Sequence, residues 1–355
     1  ALGTSSLTAN TSGYRNTASG MDSLKANTEG ANNTASGYKA LTTNTTSSYN
    51  TAVGGFALTA QTTGQRNTAS GYTAMFTNTT GQDNTAYGVS ALRGNTTGSN
   101  NTATGVYCLY ENTTANGNTA SGFKALTTST TSSYNTASGF YALKANTTGY
   151  SNTAFGAEAL QTNTTAHSLT AIGSRALLSN TTGVSNTAVG FDALKLNTTG
   201  TANVSVGYRS LFKNTTSNYI VAVGEKSLYN STGAKCTGIG YGTLFTNNTG
   251  TNNTGSGYAS NGSAGSASNE FTLGNASISN LRCNDTSISS LSDERDKTNI
   301  TDLPESAGLG IINALRPVTF NWDRREWYDN NTPDGSKVMP DWRRWKANSG
   351  LKYGF

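Results

Sequence analysis

One large aliphatic side chain returns every 17 residues along this chain, from Leu7, Leu24 and Leu41 to Leu228, with Met75 as the single variant. Four positions before each stands a glycine, from Gly3 and Gly20 to Gly224 in steps of 17, then Gly240 after 16 and Gly257 after 17. Numbering from that glycine as zero, the surrounding phrase is Asn(−4)-Thr(−3)-Ala(−2)-x(−1)-Gly(0)-x-x-Ala(+3)-Leu(+4), followed by Asn-Thr-Thr-Gly. Sixteen copies are present, one of them short by a residue. A fixed period over this length is the signature of a stacked architecture in which each unit touches only its neighbours.

Gly, Thr and Asn are weak helix formers, and the stretches between glycine and Asn-Thr-Thr are too short for a helix. Strand geometry fits better: positions −3 and −1 share one face, −2 and 0 the other. Asn-Thr-Thr-Gly supplies turn chemistry. Each copy therefore predicts one coil of a β-solenoid or β-roll with one or two short strands. At about 4.8 Å per coil the rod is on the order of 75 Å long. Stacked coils also place identical Asn side chains within hydrogen-bonding reach of one another.

Two rows vary. Position +1 is often aromatic, as at Tyr38, Tyr72, Phe123 and Phe140. Position −1 is mostly Ser or Thr up to Ser138, then apolar from Phe155 through Ile172, Val189, Val206 and Val223 to Ile239. That gradient predicts that the second half of the rod is the better packed half.

Composition changes this picture at one place. Only 34% of residues are hydrophobic, so the repeats cannot build a large oily core and must rely on backbone bonds and side-chain ladders. Beyond residue 292 the character changes: all 4 Pro and all 4 Trp lie there, and acidic and basic side chains cancel. The net charge of +5 thus belongs to the repeats, where it is spread without a Lys/Arg cluster, and nucleic acid is not an expected partner. Three domains follow: a rod at 1–257, a linker and β neck at 258–291, and a different domain at 292–355. The linker is the small-residue stretch 259–270; the neck alternates Phe271, Leu273, Ile278, Leu281, Ile288 and Leu291.

Cys108, Cys236 and Cys283 are far apart and lack metal spacing, so neither a disulfide framework nor a metal site is expected. His167 is the sole histidine, which argues against His-based triads and metal centres. No cofactor is expected. No apolar run is long enough to span a membrane. Ala1-Leu2-Gly3 begins inside a repeat, so the chain is expected to be a fragment without its N-terminal attachment region.

Phrases such as Asn203-Val-Ser-Val-Gly207 and Ile220-Val-Ala-Val-Gly224 resemble the head repeats of trimeric autotransporter adhesins, though the repeat here is longer. Residues 292–300 read Ser-Asp-Glu-Arg-Asp-Lys-Thr-Asn-Ile, and Pro317, Phe320 and Trp322 follow an aliphatic segment. This resembles the endosialidase-type intramolecular chaperone, the self-cleaving C-terminal domain of phage tail fibres and tail spikes. Every position of that family's pattern is matched: Ser292, Asp293, Arg295, Lys297, Ile300, Pro317, Phe320 and Trp322.

The resemblance implies a fold and a role. The fold is an all-β repeat rod of 17-residue coils, trimeric, followed by a small α/β or α-helical chaperone segment. The role is a structural phage tail fibre in the virion, attaching to a host receptor or glycan. It further implies single-turnover autoproteolysis, with Ser292 as nucleophile, Lys297 as base and Ser292–Asp293 as the scissile bond. A serine needs an adjacent base, and lysine serves only when neutral, its pKa lowered from about 10.4 by desolvation. Asp293, Glu294 and Asp296 oppose that, so they are expected to point away or the dyad to assemble across protomers. Without the resemblance, Ser292 reads as a helix N-cap with acids in the first turn. The family's chaperone continues past the Trp motif, so its remainder is expected beyond Phe355.

Other readings are weaker. A bacterial surface adhesin or filament with the same repeats is the main alternative. An ice-binding solenoid would need flat Thr rows free of bulky neighbours. A glycan-hydrolysing spike would need paired carboxylates, and the acids of the repeats are dispersed. Arg324, Arg325, Trp327, Arg343, Arg344 and Trp345 could form a basic-aromatic patch, but interleaved acids favour a charged domain surface.

Overall fold

The computed structural model describes residues 1–280. Sixteen strands of three residues, β1 (Thr17–Ser19) to β16 (Phe271–Leu273), form one parallel sheet in strict chain order. Each coil contributes one strand. The register is the repeat itself: Thr17 pairs Thr34, Ala18 pairs Ala35, and Ser19 pairs Ser36. Strands cover positions −3 to −1, and only the middle residue turns inward.

The core is narrow and built from three rows. Ala35, Ala40 and Leu41, at −2, +3 and +4, are all fully buried, and the same holds in coil after coil. Small residues at −2 and +3 leave room for one leucine per coil. Cys108 takes the +3 place and is equally buried.

The leucine of each coil sits in the left-handed region, as at Leu92 (φ 53°) and Leu126 (φ 51°). That conformation costs a non-glycine residue roughly 1–2 kcal/mol. Full burial of the side chain, about 1.5–3 kcal/mol, offsets it, and the backbone is used as well: Leu41 N donates to Ala57 O at 3.0 Å in the next coil. Positions +2 and +12 are left-handed too, as at Lys39 and Arg66. The glycine row has a different need. Gly122 has φ +127°, and a Cβ there would lie 2.6 Å from the Gly139 carbonyl oxygen.

Two asparagine ladders run along the rod, with Gln61, Ser129 and Ser231 replacing Asn in the inner row and Leu169, Ile220 and Cys236 in the second. The inner one, at +7, links Asn27 Nδ2 to Asn10 Oδ1 and Asn44 Nδ2 to Asn27 Oδ1, each at 2.8 Å. The second, at −4, donates forward, as from Asn33 Nδ2 to Ser47 O at 2.8 Å, while Asn33 Oδ1 accepts from Asn50 N at 2.9 Å. Asn-Thr-Thr-Gly owes its form to one acceptor. Thr28 O receives the N–H groups of Thr11, Ser12 and Gly13 from the preceding coil at 3.0–3.1 Å, and the Thr11 hydroxyl at 3.1 Å.

Four places along the rod depart from the regular coil or from what the sequence predicts. The short repeat loses its residue in the turn, between Ser231 and Cys236, and β13 (Val221–Val223) still pairs β14 (Thr237–Ile239) in register. Residues 259–270, expected as a linker, lie as a further coil: Gly265 O accepts from Asn248, Thr249 and Gly250 N, as Thr28 O does for its neighbours. Phe271–Leu273 of the expected neck is β16, paired with β15 (Thr254–Ser256). The apolar −1 residues do not thicken the core. They point outward, with Phe155 46%, Ile172 42% and Ile239 49% exposed. An even number of strand steps separates −1 from −3, so both leave the core on the same side.

Candidate functional site

The coils present two surfaces with opposite chemistry. The sheet face carries rows −3 and −1. From Thr17 to Leu273 neither row contains a charged residue. It is hydroxyl-rich in the first eight strands and apolar at −1 from Phe155 to Ile239. Val53, Tyr87 and Phe155 interrupt the hydroxyl rows, which runs against the flat Thr array that ice binding needs.

The other surface is formed by positions +1, +2 and +5, which the turns bring side by side. Tyr38 meets Phe56 edge-on at 5.0 Å, Tyr107 meets Tyr110 at 5.5 Å, and Phe123 stacks on Phe140 at 5.6 Å. Cations lie over these rings, as Lys144 Nζ over Tyr141 at 4.5 Å and Arg93 Cζ over Phe76 at 5.3 Å. Arg175, Asp192 and Arg209, all at +2, stack in three successive coils. Asp192 is 1% exposed and lies 2.8 Å from Arg175 Nε, 3.5 Å from Lys195 Nζ and 3.5 Å from Arg209 Nε. Sequence reading missed this group, although its 17-residue spacing was available as the signal. On a separate row, Arg66 grips Asp83 with two hydrogen bonds of 2.6 and 2.9 Å, which hold that carboxyl below its usual range.

The remaining candidates are chemically quiet. Burial pushes the Cys108 thiol up to about 12 and the Cys236 thiol in the same direction, so both stay protonated and unreactive. His167 stacks on Tyr150 at 4.6 Å. Among the described residues no group of His, Cys, Asp and Glu could hold a metal, and no helix is long and apolar enough to cross a membrane.

Ser292, Asp293 and Lys297 lie outside the described residues, as do Cys283, the expected neck from Leu281 onward and the 324–346 patch. Their assignment rests on sequence comparison. Residues 292–343 match the family model of the chaperone of endosialidase. The endosialidase-chaperone match opens on Ser292 itself and runs to Arg343, so it spans the Lys297, Pro317, Phe320 and Trp322 positions. No curated protein matches the chain. The chaperone-of-endosialidase segment follows a parallel β-solenoid of 17-residue coils, and together the two fit a phage tail fibre-like protein.

Proposed function

We propose that this chain is a structural tail fibre protein of a phage virion, serving host attachment and assembled as a homotrimer by its C-terminal chaperone. The observation that carries this reading is the order of parts: a shaft of identical coils, then an endosialidase-chaperone segment starting at Ser292. The division into a rod of repeats at 1–257, an intervening segment at 258–291 whose residues up to Leu273 still stack on the rod, and a chaperone segment at 292–355 belongs to the same proposal. The sheet face supports the trimer. An uncharged apolar stripe along strands β9 (Thr153–Phe155) to β14 is unfavourable in water and suits contact between copies.

In this reading the chaperone cuts itself off once. Lys297 takes the Ser292 hydroxyl proton as that oxygen attacks the carbonyl of the Ser292–Asp293 bond, the Asp293 amine leaves with the proton, and water hydrolyses the ester that remains. Lys297 must lose its proton to act, which requires an apolar setting for its ammonium. Loss of the chaperone then leaves a shaft that cannot easily refold, so its persistence is kinetic.

Mass spectrometry of the purified protein beside Ser292→Ala tests the cleavage: the parent should end at Ser292 and the variant should keep Asp293–Phe355. Identical uncut termini would end the self-processing claim. Light scattering should give three times the chain mass. Val206→Asp, which places a charge in the stripe, should shift the protein toward monomer; a monomeric parent would remove the trimer.

A further inference from the structure

The edge built from +1, +2, +5 and +6 has no role in the stacking of the core, yet it collects the rod's charge. Ten basic and five acidic residues of the described chain occupy these positions, while Arg15, Arg66 and Lys235 elsewhere are balanced by Glu29, Asp83 and Glu270. The positive excess is therefore confined to one strip running along the axis.

We propose that this strip, over the coils from Gly173 to Gly240, is a binding site for an acidic polysaccharide. The proposal rests on the attachment reading and names the ligand chemistry that the shaft itself would take. Three features carry it.

The first is uncompensated charge at a fixed place. Asp192 is buried and is contacted by Arg175, Lys195 and Arg209. One carboxylate cannot neutralise three cations. Lys213 and Lys226 extend the row, and Glu225 offsets only one of them, with Lys226 Nζ at 3.5 Å. An anionic chain lying along the axis meets these cations in succession, and linked weak contacts on one polymer reinforce one another.

The second is preorganisation. Arg175 Cζ lies 4.6 Å over the Phe191 ring and Arg209 Cζ 5.2 Å over the Tyr208 ring. Asp192 anchors Arg175, whose Nη2 donates to its Oδ2 at 3.1 Å, and Arg209 Nε lies 3.5 Å from the same oxygen. Arginines fixed in this way lose little freedom when they bind a carboxylate or sulfate.

The third is the form of the ring rows. Phe191 and Tyr208 are stacked at 5.6 Å and 10°, and Phe212, Tyr229 and Phe245 follow at 5.1 and 5.5 Å with planes within 3° and 19°. Rings stacked on one another have used their faces. An unpaired nucleobase, which needs an open ring face, finds the facing sides of these rings occupied. Ring edges beside cationic heads suit a hydroxyl-rich anionic chain better. A second copy of this chain is better placed on the uncharged sheet face.

Binding of the full chain to alginate, a polyuronate, tests this, with dextran as the neutral comparison and single-stranded DNA as the competing polyanion. Alginate should bind at low salt and weaken as salt rises, with dextran silent and DNA weaker. Arg175→Gln with Arg209→Gln should lower alginate affinity by at least tenfold. Glu225→Gln keeps every cation, removes the carboxylate that offsets Lys226, and should bind as well as the parent or better, which separates lost charge from lost folding. Arg66→Gln, on another row, should change nothing. Absence of alginate binding, DNA bound more tightly than alginate, or an equal loss from Arg66→Gln would overturn the proposal. Host-cell attachment that persists undiminished in the double variant would also overturn it while leaving the attachment reading intact. A parent that binds alginate but no host cell would remove the attachment reading instead.

Discussion

Asn95→Ser should cost the rod several kcal/mol of stability, because the inner ladder leaves no spare partners. Asn95 is fully buried. Its Nδ2 donates to Asn78 Oδ1 at 2.6 Å and to Gly98 O at 2.9 Å, and its Oδ1 accepts from Asn112 Nδ2 at 2.7 Å. A serine hydroxyl is too short to bridge both neighbouring coils. Gly98 O keeps a bond from Asn84 Nδ2 at 2.8 Å. Asn78 Oδ1 and one N–H of Asn112 lose their ladder partner in a dry interior. At about 1–3 kcal/mol for each orphaned group the loss is about 2–6 kcal/mol. The chain contains its own repair two coils further on, where Ser129 holds the same ladder position. There Ser132 stands in place of the turn glycine, with Oγ–Oγ 2.6 Å, and Asn146 Nδ2 reaches Ser132 Oγ at 3.0 Å. Asn95→Ser combined with Asn112→Ser should cost less than the two single changes added together, by about 1 kcal/mol, a coupling expected of residues in one network. Urea unfolding gives the totals. Hydrogen exchange gives the location: protection should fall around Asn78–Asn112 and hold at Leu177–Leu244, since coils interact only with neighbours. A single-variant cost under about 0.5 kcal/mol, or no coupling in the double variant, would refute the ladder as a source of stability.

Gly122→Ala should destabilise strongly and locally, because its Cβ would sit 2.6 Å from the Gly139 carbonyl oxygen at a φ of +127°; a melting curve superimposable on the parent's would contradict this. Leu126→Ala removes a fully buried side chain and should cost about 2–5 kcal/mol in the same urea assay. Cys108 should resist a thiol reagent at pH 8 in the native protein and react at once when unfolded. Its folded-state pKa of about 12 stands above the ordinary 9.0. The protonated thiol therefore favours the fold below pH 9.0, and that contribution is lost as pH rises from 9.0 toward about 12. A stability that rises over that window would reverse the argument.

Much of the fold was legible in the chain because stacking repeats the same residues at the same place. The 17-residue period sets strand order and register without any tertiary information, since Thr17 has no better partner than Thr34. The same logic yields the asparagine ladders, the leucine row and the glycine row. The Ser292–Lys297 pattern was legible for another reason: it is a local string, and the family match covers it.

What the period does not contain is the path around one coil. That path is set by left-handed residues at +2, +4 and +12, as at Lys39, Leu41 and Arg66, and none of these residue types announces such a backbone. Only the folded coil therefore decides that Tyr107 at +2 meets Tyr110 at +5, and that Arg175, Asp192 and Arg209 share an edge with Phe191 and Tyr208. It also decides that Ile172 and Val206 face outward, where the sequence reading placed added packing. Periodicity fixes what lies above what along the axis. Which rows lie side by side around the coil depends on its turn angles, and those belong to the tertiary structure alone.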